Sequence, residues 1–169
     1  MRVGVIGVGG LGHLAVQFAS AMGCEVTAFS SSPSKEKEAK DFGAKNFISS
    51  KDSKALKKAA KSLDFILTTV NVNMDWPKYM DILRPNGKLC VVGASPGAIS
   101  IAPFAFIGDQ KSIIGSVIGS RKLISEMLQF AAQHHIVAKT QTVPLSDVNS
   151  AIKRVRQNKA RYRMVLKCN

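Results

Sequence analysis

Apolar and polar residues alternate along this chain in blocks that change period from one to the next. Val3-Gly4-Val5-Ile6 is a short apolar run closed by glycines, the pattern of a buried strand. Leu11, Leu14, Ala15, Phe18 and Met22 then recur at spacings of three and four, which predicts a helix with one apolar face, stopped at Gly23. Residues 25–29 predict a second strand, 34–42 a helix with Pro33 near its start, and 46–48 a short strand. A lysine-studded helix over 53–63 leads into a nearly continuous apolar strand over 63–70. Further on the pattern predicts a helix over 76–83, a turn at Arg84-Pro85-Asn86-Gly87, and strands over 88–92 and 112–118. An amphipathic helix over 122–134, a capped helix over 146–156 and a last strand over 162–166 complete the chain. Unpatterned apolar strands alternating with helices imply crossover connections and a sheet buried on both faces. The expected fold class is α/β, a doubly wound parallel sheet.

Composition narrows the picture. The 169 residues suit one domain, and 46% apolar with 21% charged residues excludes a disordered or fibrous chain. A net charge of +13 should attract anions, whether phosphate-bearing ligands, nucleic acid or acidic surfaces. Cys24, Cys90 and Cys168 are widely spaced and form no CxxC, which points to thiols without metal and to a reducing, cytoplasmic setting. The uncharged run from Val3 to Cys24 imitates a secretory or membrane segment, but it holds six glycines with His13, Gln17 and Ser20. Neither export nor insertion explains those glycines, and no membrane partner is expected.

A phosphate loop does explain them. Gly7-Val8-Gly9-Gly10-Leu11-Gly12 fits GxGxxG between a predicted strand and a predicted helix, the context a dinucleotide requires. Gly7 serves the tight turn, Gly9 the approach of a pyrophosphate, and Gly12 the packing of helix on strand. Free N–H groups at the helix start then face the phosphates. At the end of the second strand, where an NAD site places Asp or Glu for the ribose, the chain has Ser30-Ser31-Ser32 with Lys35 beyond. Hydroxyls and an ammonium suit a 2′-phosphate, so NADP(H) is the expected cofactor.

These residues, with FGAKNFI (42–48), LRPNGKLCVVGA (83–94), SIIGSVIGS (112–120) and DVNSAIKRV…ARYRMV (147–165), make the chain resemble a known family. It is similar to the Rossmann-type cofactor domain of zinc-type medium-chain alcohol dehydrogenases, in the cinnamyl alcohol dehydrogenase branch. The resemblance implies hydride transfer between NADPH and an aldehyde or primary alcohol. It implies that Gly9, Gly10 and Leu11 hold the pyrophosphate, and that Ser30, Ser31, Ser32 and Lys35 hold the 2′-phosphate. Thr69 and Val70 would lie near the nicotinamide ribose, and Gly93, Ala94, Ser116, Val117 and Ile118 would dock the nicotinamide. A C-terminal arginine near the phosphates is either Arg161 or Arg163. Residues 1–145 would form the cofactor domain, and 146–169 a segment that in the family returns to the catalytic domain.

The zinc-carrying domain of that family has no counterpart in these residues, so no catalytic or metal-binding residue is assigned and zinc belongs to the missing part. The chain alone is expected to bind NADP(H) without reducing an aldehyde. The resemblance implies that His13 touches the cofactor, and otherwise it is a capping or surface residue; His134 and His135 suit a helix end. Ala98, Ile99, Ile101, Ile113 and Ile114 suggest edge strands, through which the family pairs its cofactor domains as homodimers. The basic run Lys153, Arg154, Arg156, Lys159, Arg161, Arg163 and Lys167 is read as a solvated or domain-facing surface rather than a nucleic-acid footprint. Other readings are a non-catalytic NADP(H)-binding module and a basic interaction protein on an old fold.

Overall fold

A computed structural model describes residues 1–168. The strands are β1 (Arg2–Ile6), β2 (Glu25–Ser30), β3 (Asn46–Ser49), β4 (Leu63–Thr68), β5 (Leu83–Val91), β6 (Ser112–Gly115), β7 (Thr140–Pro144) and β8 (Arg163–Lys167). The helices are α1 (Gly12–Ala21), α2 (Glu36–Asp41), α3 (Ser53–Lys58), α4 (Trp76–Ile82), α5 (Phe104–Ile107), α6 (Arg121–Gln133) and α7 (Val148–Arg156). Six strands form one sheet in the order β3-β2-β1-β4-β5-β6, every pair parallel. A small second sheet pairs β7 with β8, also in parallel. The doubly wound α/β fold read from the sequence is therefore the fold observed.

Alternation along β1 and β2 shows why both faces are dry. Val3, Val5, Val26 and Ala28 enter one buried cluster, while Ile6 and Phe29 enter the other with Ile66 and Leu89. Each strand feeds two cores, so it reads as a continuous apolar run. The chain walks outward from β1 to β3, returns beside β1 as β4, and walks the other way to β6. Loops leaving β1 and β4 diverge, which opens a crevice at their C-terminal ends.

Several expectations need correction. The apolar stripe of Leu11, Leu14, Phe18 and Met22 does not face the sheet; Leu11 is 50% exposed and Met22 63%. The buried side of α1 is Gly12, His13 and Val16. Phe18 stacks instead on Phe130 of α6, with ring centroids 6.0 Å apart. Residues 84–87 are carried inside β5 as a bulge: pairing with β4 jumps from Leu63↔Leu83 to Phe65↔Lys88, and Asn86 takes a positive φ of 63°. β6 stops at Gly115, short of Ile118, and residues 98–101 form no strand. The short elements α5 and β7 gave no sequence signal. The small sheet begins at Thr140, ahead of the division expected after residue 145, and the expected C-terminal segment reaches Asn169, outside the described residues.

One carboxylate fastens this small sheet to the large one. Glu38 on α2 accepts from Lys139 Nζ at 2.7 Å, from Arg161 Nε at 2.8 Å and from Tyr162 Oη at 2.8 Å. Burial alone would raise the Glu38 pKa; the bonds from Lys139 and Tyr162, with the charges of Lys139 and Arg161, outweigh it and hold the group below its usual 4.5. A carboxylate with a depressed native pKa contributes stability above 4.5 that is lost as pH falls through the native value. Glu38→Gln should therefore cost about 1.5–3 kcal/mol at neutral pH. Its deficit against the unsubstituted protein should shrink steadily in urea titrations run at acid pH, where the native carboxylate is itself protonated.

Candidate functional site

The crevice at the C-terminal ends of β1, β2, β4 and β5 encloses about 660 Å³. Its walls are the glycine loop from Gly7 to Leu11, the serines 30–32 with Lys35, the loop from Thr69 to Asp75, and Val92 to Ala94. Arg163 reaches in from β8. The structure thus brings Gly7, Gly9, Gly10, Leu11, Ser30, Ser31, Ser32, Lys35, Thr69, Val70, Gly93 and Ala94 around one opening.

The glycine loop is shaped by what cannot fit. Gly7 has a φ of +93°, in the left-handed region. A Cβ on Gly12 would sit 1.6 Å from the Gly7 carbonyl oxygen, so only hydrogen is tolerated where α1 meets the end of β1. Gly12 accordingly shapes the loop without lining the crevice. A Cβ on Gly9, by contrast, would meet nothing within 4 Å. Gly7 N–H donates to Phe29 O at 2.9 Å, whereas among the described residues the N–H groups of Gly9, Gly10 and Leu11 have no acceptor. Unpaired N–H groups at the start of α1 form an anion cradle.

At the end of β2 the wall carries hydroxyls and no carboxylate. Ser30 is buried and its Oγ accepts from Ser32 N–H at 3.2 Å, while Ser31 is exposed. The carboxylate lining the crevice, Asp75, is paired with Lys78 at 2.7 Å. Lys35 is placed differently from expectation. Its side chain is buried, and Nζ donates to Val8 O at 2.7 Å while lying 5.4 Å above the Tyr162 ring. Burial and the nearby Arg161 charge lower its pKa, with Glu38 opposing them.

At the other end Gly93 is required by contact, since a Cβ there would sit 2.1 Å from Val70 O. Thr69 Oγ1 donates to the Ile6 and Gly7 carbonyls at 3.1 Å each. Ser116, Val117 and Ile118 stand outside the crevice wall, with Val117 89% and Ile118 84% exposed.

The two candidate arginines part company. Arg163 lays its guanidinium against Gly10, where a Cβ would lie 3.0 Å from its Cζ. Arg161 is held by Glu38 outside the lining. His13 corrects the sequence reading outright: it neither lines the crevice nor lies at the surface, being fully buried. Its Nδ1 donates to Gly9 O at 2.9 Å, and its Nε2 accepts from Lys139 N–H at 3.1 Å, an arrangement that fixes a neutral ring. Burial holds its pKa below 6.5, opposed by the bond to Gly9 and reinforced by Arg163 and Lys139. Stacking on Tyr162, with centroids 4.9 Å apart, completes its cage. Cys24 is half-buried, Cys90 buried and Cys168 exposed, all as free thiols. Among the described residues no three His, Cys, Asp or Glu side chains gather as a metal site, and no helix is long and apolar enough to cross a membrane.

Known proteins share this outline. The model of the zinc-binding dehydrogenase family matches residues 10–133. Dehydroprecondylocarpine acetate synthase of Catharanthus roseus is 41% identical over 167 residues, which is 98% of this chain and 46% of that protein. A cinnamyl alcohol dehydrogenase structure from Sorghum bicolor superposes with a TM-score of 0.94 at 40% identity, over 98% of this chain and 47% of its own. The structure of CAD from Helicobacter pylori complexed with NADP(H) gives 0.87 at 34% identity, over 98% and 47%. The chain spans about half the length of the curated relatives it matches.

The steric contrast within the loop is open to direct measurement. Gly12→Ala should lower stability by about 1–3 kcal/mol or more through overpacking against backbone, a fall of roughly 2–4 °C in Tm per kcal/mol for a chain of this size. Gly9→Ala should leave the melting temperature unchanged or slightly raised. Thermal unfolding of the two variants side by side checks both.

Proposed function

The chain belongs to the zinc-binding dehydrogenase family, and from that premise we propose that it binds NADP(H) as the cofactor part of an alcohol dehydrogenase or aldehyde reductase. The observation that carries this reading is the pairing of a free N–H cradle at the start of α1 with a serine wall, free of carboxylate, at the end of β2. The diphosphate lies on Gly9, Gly10 and Leu11, with Arg163 beside Gly10 adding a cation. Ser30, Ser31 and Ser32 meet the 2′-phosphate, which a carboxylate at that place would repel. Thr69 and Val70 border the nicotinamide ribose, and Gly93 and Ala94 the ring.

When bound, NADPH supplies the hydride that an aldehyde carbon accepts. The residues of this chain bind and orient the dinucleotide. Zinc does not fit them: the described His, Cys, Asp and Glu side chains do not converge, so its ligands lie outside these residues. In this reading the 169-residue polypeptide on its own binds NADPH without turnover. Two further parts of the proposal rest on particular residues. Free thiols at Cys24, Cys90 and Cys168 suit the cytoplasm. Edge strand β6 carries exposed Ile114, and Phe104 and Ile107 of α5 are exposed as well, apolar residues suited to a homodimer surface.

Saturating NADPH, at about 100 times its Kd, should stabilise the fold by about 2.7 kcal/mol. NADH should raise the melting temperature less, and Ser31→Asp should narrow or invert the difference. No shift with either coenzyme refutes the reading, and aldehyde reduction by this polypeptide alone refutes the assignment of zinc to residues elsewhere. Light scattering should return twice the monomer mass, and Ile114→Lys should halve it.

A further inference from the structure

The large sheet has a second opening, at the end remote from the crevice. A hollow of about 450 Å³ lies where β1, β2, β3 and β4 begin, and Arg2, Thr27, Asn46, Ile48 and Leu63 are among the residues that line it. Parallel pairing sets Arg2 beside Glu25, Gly4 beside Thr27 and Thr27 beside Asn46, so these positions share one face of the sheet. Helix α3 covers only part of that face. Its six residues span about 9 Å, against about 20 Å for the six of β2. Leu56 of α3 lies at the crevice end. The return to β4 is drawn toward α4 instead of β2, because the N–H groups of Lys61 and Ser62 donate to Asp81 O and Ile82 O, each at 2.9 Å. Leu63 then closes over Gly4, where a Cβ would sit 2.7 Å from its Cδ1, and forms the inner wall of the hollow.

Two polar groups in this hollow are unspent. Thr27 is only 6% exposed, yet among the described residues its hydroxyl makes no hydrogen bond, unlike those of Ser62 and Thr69. A hydroxyl so deeply buried is normally paired, and here the opening is where its partner must come from. The Arg2 guanidinium is likewise without a carboxylate among the described residues. Of its two acidic neighbours, Glu25 is turned to Lys45 at 3.6 Å and accepts from Asn46 Nδ2 at 3.4 Å. Asp64 accepts from the Arg2 backbone N–H at 2.6 Å and pairs with Arg84. The remaining carboxylate on the rim, Glu36, is bonded to Lys40 at 2.7 Å. A guanidinium suits a carboxylate, to which it can donate two parallel bonds. The nearby Glu25 and Glu36 disfavour a doubly charged anion, and the apolar floor of Ile48 and Leu63 asks for hydrocarbon.

We infer that this hollow binds a small monocarboxylate carrying a hydrocarbon chain or ring. Its carboxylate meets Arg2 and Thr27, and its apolar part lies over Ile48 and Leu63. The site shares no lining residue with the dinucleotide crevice and stands at the opposite ends of the same strands, so it does not depend on the coenzyme proposed above.

Amide chemical-shift mapping of the full chain with hexanoate tests the site, because each residue reports separately. Hexanoate should move the Thr27 and Asn46 amides to saturation and leave those of Gly9 and Gly10 in place. Hexanamide, which lacks the charge, and inorganic phosphate, which lacks the hydrocarbon, should each bind about tenfold more weakly or worse. Arg2→Gln should weaken hexanoate by about tenfold or more, and Thr27→Val by about threefold or more. Glu25→Gln should tighten it, since a neighbouring negative charge is removed. If Arg2→Gln does not fold, the Glu25→Gln titration and the hexanamide comparison carry the same contrast. Shifts confined to the glycine loop, equal binding of hexanoate and hexanamide, equal binding of phosphate, or no saturable shift at all overturns the inference. Each of those results leaves the coenzyme reading untouched.

Discussion

Everything at the crevice depends on how closely α1 approaches the end of β1. The hydrogen of Gly12 lies where a methyl group would overlap the Gly7 carbonyl oxygen. That proximity lets the helix start directly beneath the strand end, and it turns the intervening residues into a loop whose donors face outward. Gly7, with its left-handed backbone, makes the turn, and Phe29 O on the neighbouring strand secures it. Moving the helix outward by the width of a methyl group would dismantle the cradle while leaving the strands paired.

Charge is distributed around this constraint with some economy. The chain carries a large positive excess, yet few of those cations enter the crevice. Lys35 is bonded to backbone, Arg161 is held by Glu38, and Asp75 offsets Lys78. Arg163 lays its guanidinium against Gly10. The polar groups that the opening presents are therefore chiefly N–H groups and hydroxyls, with the surrounding lysines supplying a diffuse positive field.

Much of the fold was legible because strands such as β1 and β2 are buried on both faces and are followed by turn residues. The glycine loop was legible because its spacing reflects contacts made within a few residues. What escaped depended on partners far along the chain. His13 looked ambiguous because its burial is set by Tyr162 and Lys139, which no local pattern connects to it. Arg161 and Arg163 share the same parity, so strand alternation did not separate them; they diverge because the Arg161 backbone N–H is captured by the Gln141 side chain before β8 begins. Helix α1 was assigned the wrong inner face because its large apolar residues suggested the buried stripe, whereas the burial of His13 depends on Lys139 and Tyr162 far along the chain. β7 was missed because half-exposed Thr140-Gln141-Thr142 carries little apolar signal. Lys35 was expected to face a 2′-phosphate, and nothing in the sequence shows that the Val8 carbonyl lies within its reach.

The cage behind the glycine loop also has an order in time. The loop and its helix leave the ribosome well before Lys139 and Tyr162, which cage His13. A nascent chain with β1 to β6 already emerged would have its strands but not the ring on which His13 and Lys35 rest. The cage around His13 is thereby completed only once Tyr162 has emerged, so the supports of the loop arrive after the loop itself.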